Sequence, residues 1–100
     1  MKEMTVVKTE DGEVTIHLTG EIDASNADAF FAETMAAYGA GVNLIFDCKE
    51  LAFIDSTTLG TFVKIFKTVK ADGKQMKIVN LPQKIRKLFV ICALDTMMEI

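Results

Sequence analysis

Along this chain the spacing of apolar positions changes repeatedly, and each change marks a new element. Thr5 to Lys8 is a short β-prone run, and Glu10-Asp11-Gly12 after it carries the turn chemistry of a hairpin. Val14, Ile16 and Leu18 then alternate with Thr15, His17 and Thr19, the period-two pattern of a half-buried strand. From Ser25 the spacing becomes three and four, so that Ala27, Phe30, Phe31, Thr34, Met35 and Tyr38 share one side of a predicted helix. Ser25 with Asp28 resembles a capping box with the shorter acid in place of Glu, and Gly39 and Gly41 suit its C-terminal stop. Val42 to Phe46 is short and mostly apolar, as expected of a central strand covered on both faces.

A second apolar run, Leu51 to Ile54, leads into Asp55-Ser56-Thr57-Thr58-Leu59-Gly60. The helix predicted from Ser56 carries Leu59, Phe62, Val63, Phe66 and Val69 as one stripe, with Thr61, Lys64, Lys67 and Lys70 toward solvent and Asp72-Gly73 ending it. Met76 to Val79 reads as another strand, and Leu81-Pro82 puts proline where a helix begins without losing a needed N–H. That third helix runs from about Pro82 through Ile91, burying Ile85, Leu88, Phe89 and Cys92 and leaving Lys84, Arg86 and Lys87 solvated. Met97 to Ile100 supplies an optional last strand. The order β-β-α-β-α-β-α(-β) predicts an α/β fold, a mixed sheet of about four to five strands with helices packed on it. With no internal repeat, linker or low-complexity segment, residues 1–100 read as one domain.

Composition narrows the chemistry. A chain of 100 residues with 50% hydrophobic content supports one core, burying roughly two thirds of its unfolded surface. A formal net charge of -3 argues against direct nucleic-acid binding, which needs a basic face to meet phosphates. Cys48 and Cys92 lie far apart and His17 is the sole histidine, so no metal-ligand spacing arises. Both cysteines are expected to be buried and reduced, and His17 to be a partly exposed strand residue. There is no apolar leader at the N-terminus and no run approaching the ~20 residues of a membrane span, which predicts a cytoplasmic protein without membrane insertion. No triad, Walker loop or GxGxxG fingerprint is present, so neither an enzyme nor a cofactor is expected. Glu10, Asp11 and Glu13 belong to the hairpin turn, while Glu21 and Asp23 precede a helix where negative charge suits the macrodipole. Met35, Met76, Met97 and Met98 read as packing residues.

The hydroxyl-rich turn Asp55-Ser56-Thr57-Thr58 supports two readings. Asp and Ser cap helix N-termini because their side-chain oxygens accept from N–H groups that lack helical partners. Three consecutive hydroxyls also offer an acceptor for a phosphoryl group.

Leu44-Ile45-Phe46-Asp47, then Phe53-Ile54-Asp55-Ser56-Thr57, then Leu59-Gly60 ahead of an amphipathic helix resembles the signature of the STAS domain, specifically the bacterial anti-sigma factor antagonists. Leu18-Thr19-Gly20-Glu21-Ile22-Asp23 is similar to the family's segment at the end of the second strand, and Lys84-Ile85-Arg86-Lys87-Leu88-Phe89 resembles its last helix. The resemblance spans nearly the whole chain. It implies a partner-switching module, in which an anti-sigma factor that is itself an ATP-dependent serine kinase is bound by the unphosphorylated antagonist, which frees the sigma factor. Phosphorylation releases the antagonist, and a PP2C-type phosphatase resets it. On this resemblance Ser56 is the phosphoacceptor and Asp55 helps present it. Asp23 and Ser25 lie on a neighbouring docking loop, and Thr57, Thr58 and Gly60 complete the partner-binding surface. Thr58 stands where many antagonists carry a small residue, often glycine. Its bulk beside the acceptor is expected to narrow the choice of kinase, with Thr57 and Thr58 as secondary hydroxyl acceptors.

Two alternatives stay open at the level of sequence. Asp47, at the end of the strand Val42 to Phe46, has the position of a receiver-like phosphoacceptor, but the acidic pair that holds Mg²⁺ in that chemistry is missing after the first strand. A STAS-type domain also serves as an interaction subunit of a transporter or signalling scaffold without a phosphoswitch.

Overall fold

The computed structural model describes residues 4–8, 12–39 and 41–100. Its elements are β1 Met4–Lys8, β2 Glu13–Ile22, α1 Ala27–Tyr38, β3 Asn43–Ile54, α2 Ser56–Ala71, β4 Met76–Val79 and α3 Gln83–Ile91, followed by a 3-10 turn at Leu94–Thr96. The sheet order is β1-β2-β3-β4, with β1 antiparallel to β2 and the other pairs parallel. The mixed sheet and the order of strands and helices agree with the sequence reading. The hairpin residues Glu10 and Asp11 lie outside the described residues; Gly12 closes the turn with φ +79. The optional last strand shrinks to one bridge, Lys77 to Glu99, with the Ile78 N–H donating to the Glu99 carbonyl at 2.9 Å. The 3-10 turn consumes the preceding residues by burying Leu94 and Met98, so only Glu99 meets β4.

Alternation sorts the strands' side chains between two faces. Val14, Ile16, Leu18, Leu44, Phe46, Met76 and Ile78 are buried under the helices. Thr15, His17, Ile45 and Asp47 point the other way and stay partly exposed. β3 is therefore fully covered on one face, not on both as its apolar N-terminal half suggested.

β3 is also much longer than Val42 to Phe46. Its buried residues run Leu44, Phe46, Cys48 at spacing two and then Leu51, Ile54 at spacing three. The cause is two register shifts against β2, between His17 and Thr19 and between Gly20 and Glu21, each with an extra residue in β3. Lys49-Glu50 and Ala52-Phe53 thus face outward as adjacent pairs, and the strand continues to Ile54 although its alternation breaks. Gly20, at φ +70, supplies the conformation that β2 needs beside the second shift.

Four phenylalanines join the layers. Phe62 of α2 lies 5.2 Å from Phe30 of α1, 5.2 Å from Phe46 of β3 and 5.5 Å from Phe89 of α3, all edge-on. Edge-to-face pairs at this distance add to the burial of the rings themselves. At the far end of the helices the Tyr38 hydroxyl donates to Asp72 Oδ2 at 2.9 Å, tying α1 to the end of α2. Burial, then the neighbouring Asp72 carboxylate, pushes the Tyr38 phenol up to about 12.

Several local expectations need correction. α1 begins at Ala27 behind Asn26, and no side chain caps it, so the Ser25–Asp28 capping box is not formed. Ser25 turns back instead, its N–H and hydroxyl both donating to Asp23 Oδ1. On α2 Ile65 is fully buried, whereas Val63 and Phe66 only flank the core. Leu88 likewise flanks it. Cys92 is exposed. α3 stops at Ile91, and Ala93 at φ +58 turns the chain before Cys92 can continue the buried face. Met97, expected to pack, is also largely exposed.

Two outcomes follow. Phe62→Ala removes the ring common to three aromatic contacts and is expected to cost about 3–5 kcal/mol in a urea unfolding curve. Iodoacetamide should alkylate Cys92 in the native protein at neutral pH. Cys48, fully buried and with its thiol pushed up to about 12 by burial and by adjacent Asp47, should react only after unfolding.

Candidate functional site

The carboxyl ends of β2 and β3 emerge side by side, since Ile22 pairs with Ile54 in the last register position. Each strand then turns into a helix, so the 23–26 loop and the start of α2 meet at one edge of the sheet. Asp55 sits at the junction with extended backbone, φ -115 and ψ -176, immediately before the first helical residue. Its Oδ1 accepts from the Thr58 N–H at 2.9 Å, a side-chain N-cap. Its Oδ2 accepts from the Ala24 N–H at 2.9 Å, across 31 residues of sequence. One carboxylate therefore caps α2 and fastens the neighbouring loop to it.

Thr58 completes the junction. It is fully buried, and its hydroxyl lies 2.7 Å from the Ile22 carbonyl and 2.9 Å from Asp55 Oδ1. A hydroxyl has one proton to give, and these two oxygens share it. The Thr58 amide, above all, with its hydroxyl and the Ala24 amide, holds the Asp55 carboxyl below the usual carboxylate range; a lesser desolvation acts in the opposite direction. The 23–26 loop is braced internally as well. The Asp23 N–H donates to Asn26 Oδ1 at 2.8 Å, and Asn26 Nδ2 donates to the Glu21 carbonyl at 3.0 Å.

Ser56 and Thr57 are exposed on the first turn of α2, and Ser25, Ala24 and Gly60 are exposed around them. Asp23 is half-buried. Of the residues singled out from the sequence, the fold thus gathers Asp23, Ser25, Asp55, Ser56, Thr57 and Gly60 on one surface. Thr58 is the exception. At zero exposure its side chain lies inside the junction as an internal strut, not on the surface where the sequence reading put it. Asn26 and the Ala24 N–H were missed. Asn ahead of the helical spacing was a usable signal, but a backbone N–H that meets a carboxylate across the sheet leaves none.

Asp47 is elsewhere. It lies within β3, not at its end, on the open face of the sheet. Its Oδ2 is 3.2 Å from His17 Nδ1, and its Oδ1 accepts from Asn80 Nδ2 and the Lys49 N–H, each at 3.1 Å. Burial pushes this carboxyl up, yet Asn80, Lys49 and His17 together bring it below the usual range. Among the described residues no group of three or more His, Cys, Asp or Glu side chains is placed to hold a metal ion.

Thr58→Val keeps the shape of the strut but leaves the Ile22 carbonyl without its donor. The expected cost is about 1–3 kcal/mol by urea denaturation. Asp55→Asn gives a pH signature. A carboxyl depressed on folding contributes stability above its unfolded value near 3.9 and loses it as pH falls through the folded value. The melting temperature of Asp55→Asn should therefore lie below wild type at pH 7, with the gap closing as pH falls below the unfolded value near 3.9; an offset independent of pH would contradict the assignment.

Residues 4–100 match the model of the STAS domain. The chain is 32% identical over 94 residues to the anti-sigma-B factor antagonist of Bacillus subtilis (strain 168), covering 94% of this chain and 86% of that protein. In three dimensions it resembles an anti-sigma factor antagonist from Mycobacterium paratuberculosis with a TM-score of 0.81 at 20% identity, covering 95% of this chain and 82% of that one. The phosphorylated form of the Bacillus cell fate determinant SpoIIAA gives a TM-score of 0.75 at 23% identity, over 95% and 87% of the two chains. Those two structures speak to the fold. Together with the match over residues 4–100 and the Bacillus relative, they identify this chain as a member of the STAS domain family.

Proposed function

We propose that this protein is an anti-sigma factor antagonist whose switch is the hydroxyl of Ser56. The observation that carries the reading is the exposure of Ser56 on the first turn of α2 while the neighbouring carboxylate, Asp55, is committed to internal bonds. Asp55 is too occupied to act as a base, so Ser56 is a substrate offered to another protein's active site. In the unmodified state the 23–26 loop and the first turn of α2 form a docking surface for an anti-sigma factor serine kinase. That kinase supplies ATP and the base. Ser56 Oγ bonds to the γ-phosphorus, the bond from that phosphorus to the β-phosphate oxygen breaks, the hydroxyl proton passes to the kinase, and ADP leaves.

Phosphorylation adds about 1.5–2 negative charges. A helix N-terminus accommodates an anion through its free N–H groups and dipole, so the domain need not unfold. The docking surface responds differently, because the dianion must be desolvated next to the 23–26 loop, which carries Asp23, when a partner covers it. About 2.8 kcal/mol of such penalty lowers affinity a hundredfold, enough for release. A PP2C-type phosphatase returns the hydroxyl by hydrolysis. The antagonist itself performs no catalysis, contacts no nucleic acid and works in the cytoplasm with its ATP-dependent partner. Among the described residues, no helix is long and apolar enough to cross a membrane.

The test is incubation with the cognate kinase and ATP, followed by phosphopeptide mapping and calorimetric binding. One phosphate on Ser56 is expected, and none on Ser56→Ala. Ser56→Asp should bind the kinase about a hundredfold more weakly, at a melting temperature within about 2 °C of wild type, because an exposed first-turn substitution perturbs the fold little. Full modification of Ser56→Ala would refute the assignment.

A further inference from the structure

Gly60 is a glycine for which the fold gives no reason. Gly12, Gly20, Gly39 and Gly73 take positive φ, and Gly41 lies in a bend outside any helix. Gly60 has no positive φ, lies inside α2, is exposed, and a Cβ built on it meets none of the described residues within 4 Å. Glycine at an exposed helix interior is less stable than alanine, since it exposes backbone and loses more conformational freedom on folding. The native chain thus keeps a destabilising residue where alanine fits without contact.

Its location supplies the missing reason. Gly60 is four residues beyond Ser56, hence on the same face one turn along, about 6 Å up the helix axis. An incoming γ-phosphorus must come within about 3–3.5 Å of Ser56 Oγ, which brings the surface that carries it down over this turn. One further turn along, at Lys64, a long side chain rises again, its Nζ 4.1 Å from the centre of the Phe31 ring. We propose that Gly60 is a specificity-determining position: its bare backbone is the surface on which the backbone of the serine kinase seats so that ATP reaches Ser56. This rests on the reading of Ser56 as the acceptor. It adds a steric gate that is independent of charge and of the hydroxyl itself.

Stability and partner recognition should then move in opposite directions. Gly60→Ala is expected to raise the melting temperature by about 4–8 °C while weakening kinase binding several-fold. Gly60→Leu, close to alanine in helix propensity, should keep much of that thermal gain and lose affinity a hundredfold or more, with phosphorylation of Ser56 slowed to match. Equal losses for Ala and Leu would mean that helix flexibility, not clearance, is what the kinase needs, and would overturn the proposal. So would Gly60→Leu binding and reacting like wild type, with the reading of Ser56 intact. If the wild type itself neither binds the kinase nor is modified at Ser56, that parent reading fails and takes this one with it.

Discussion

Phe62 is the contact on which the architecture depends. Its ring meets one phenylalanine from each of the other two helices and one from the central strand, so the three helices are positioned relative to β3 by a single buried cluster. The fully buried residues around it, Ile16, Leu44, Ile65 and Ile78, fill the remaining space between helices and sheet. Because Phe62 is six residues after Ser56 in the same helix, the cluster also sets where the first turn of α2 emerges from the sheet. The exposed hydroxyl of Ser56 is held in place by apolar packing it never touches.

At the other end of that turn the constraint is polar. The Asp55 carboxylate spends both oxygens internally, one on the Thr58 amide and one on the Ala24 amide. Thr58 then links the same carboxylate to the Ile22 carbonyl at the end of β2. Two connections that are distant in sequence thereby become one surface. This arrangement separates presentation from reaction: Asp55 and Thr58, which shape the site, are engaged in internal bonds, while Ser56 is exposed beside them. Such a surface can accept a charge or lose a partner without disturbing the core, which is what a switch that must be reset requires.

Much of the fold was legible because short-range pattern and long-range packing agree. Val14, Ile16 and Leu18 alternate in the sequence and alternate in burial; Leu59, Phe62 and Val69 stripe α2 as spaced. The strand Asn43–Ile54 was cut short because two extra residues shift its inward positions from every second to every third, a change that only pairing against β2 reveals. Cys92 was misjudged for a related reason. Helical spacing extends its face past Ile91, whereas the chain turns at Ala93 before that face is used.

By itself the sequence determined the order of elements, the mixed sheet and the hydroxyl-rich turn ahead of a helix, since these follow from local periodicity, capping chemistry and the resemblance those motifs carry. Tertiary structure decided which hydroxyl faces solvent. Ser56, Thr57 and Thr58 are chemically close neighbours in the chain, but helical rotation against the Ile22 end of β2 buries Thr58 and leaves Ser56 outside. It likewise decided that Gly60 has open space above it, because none of the described residues comes within 4 Å of a Cβ built there.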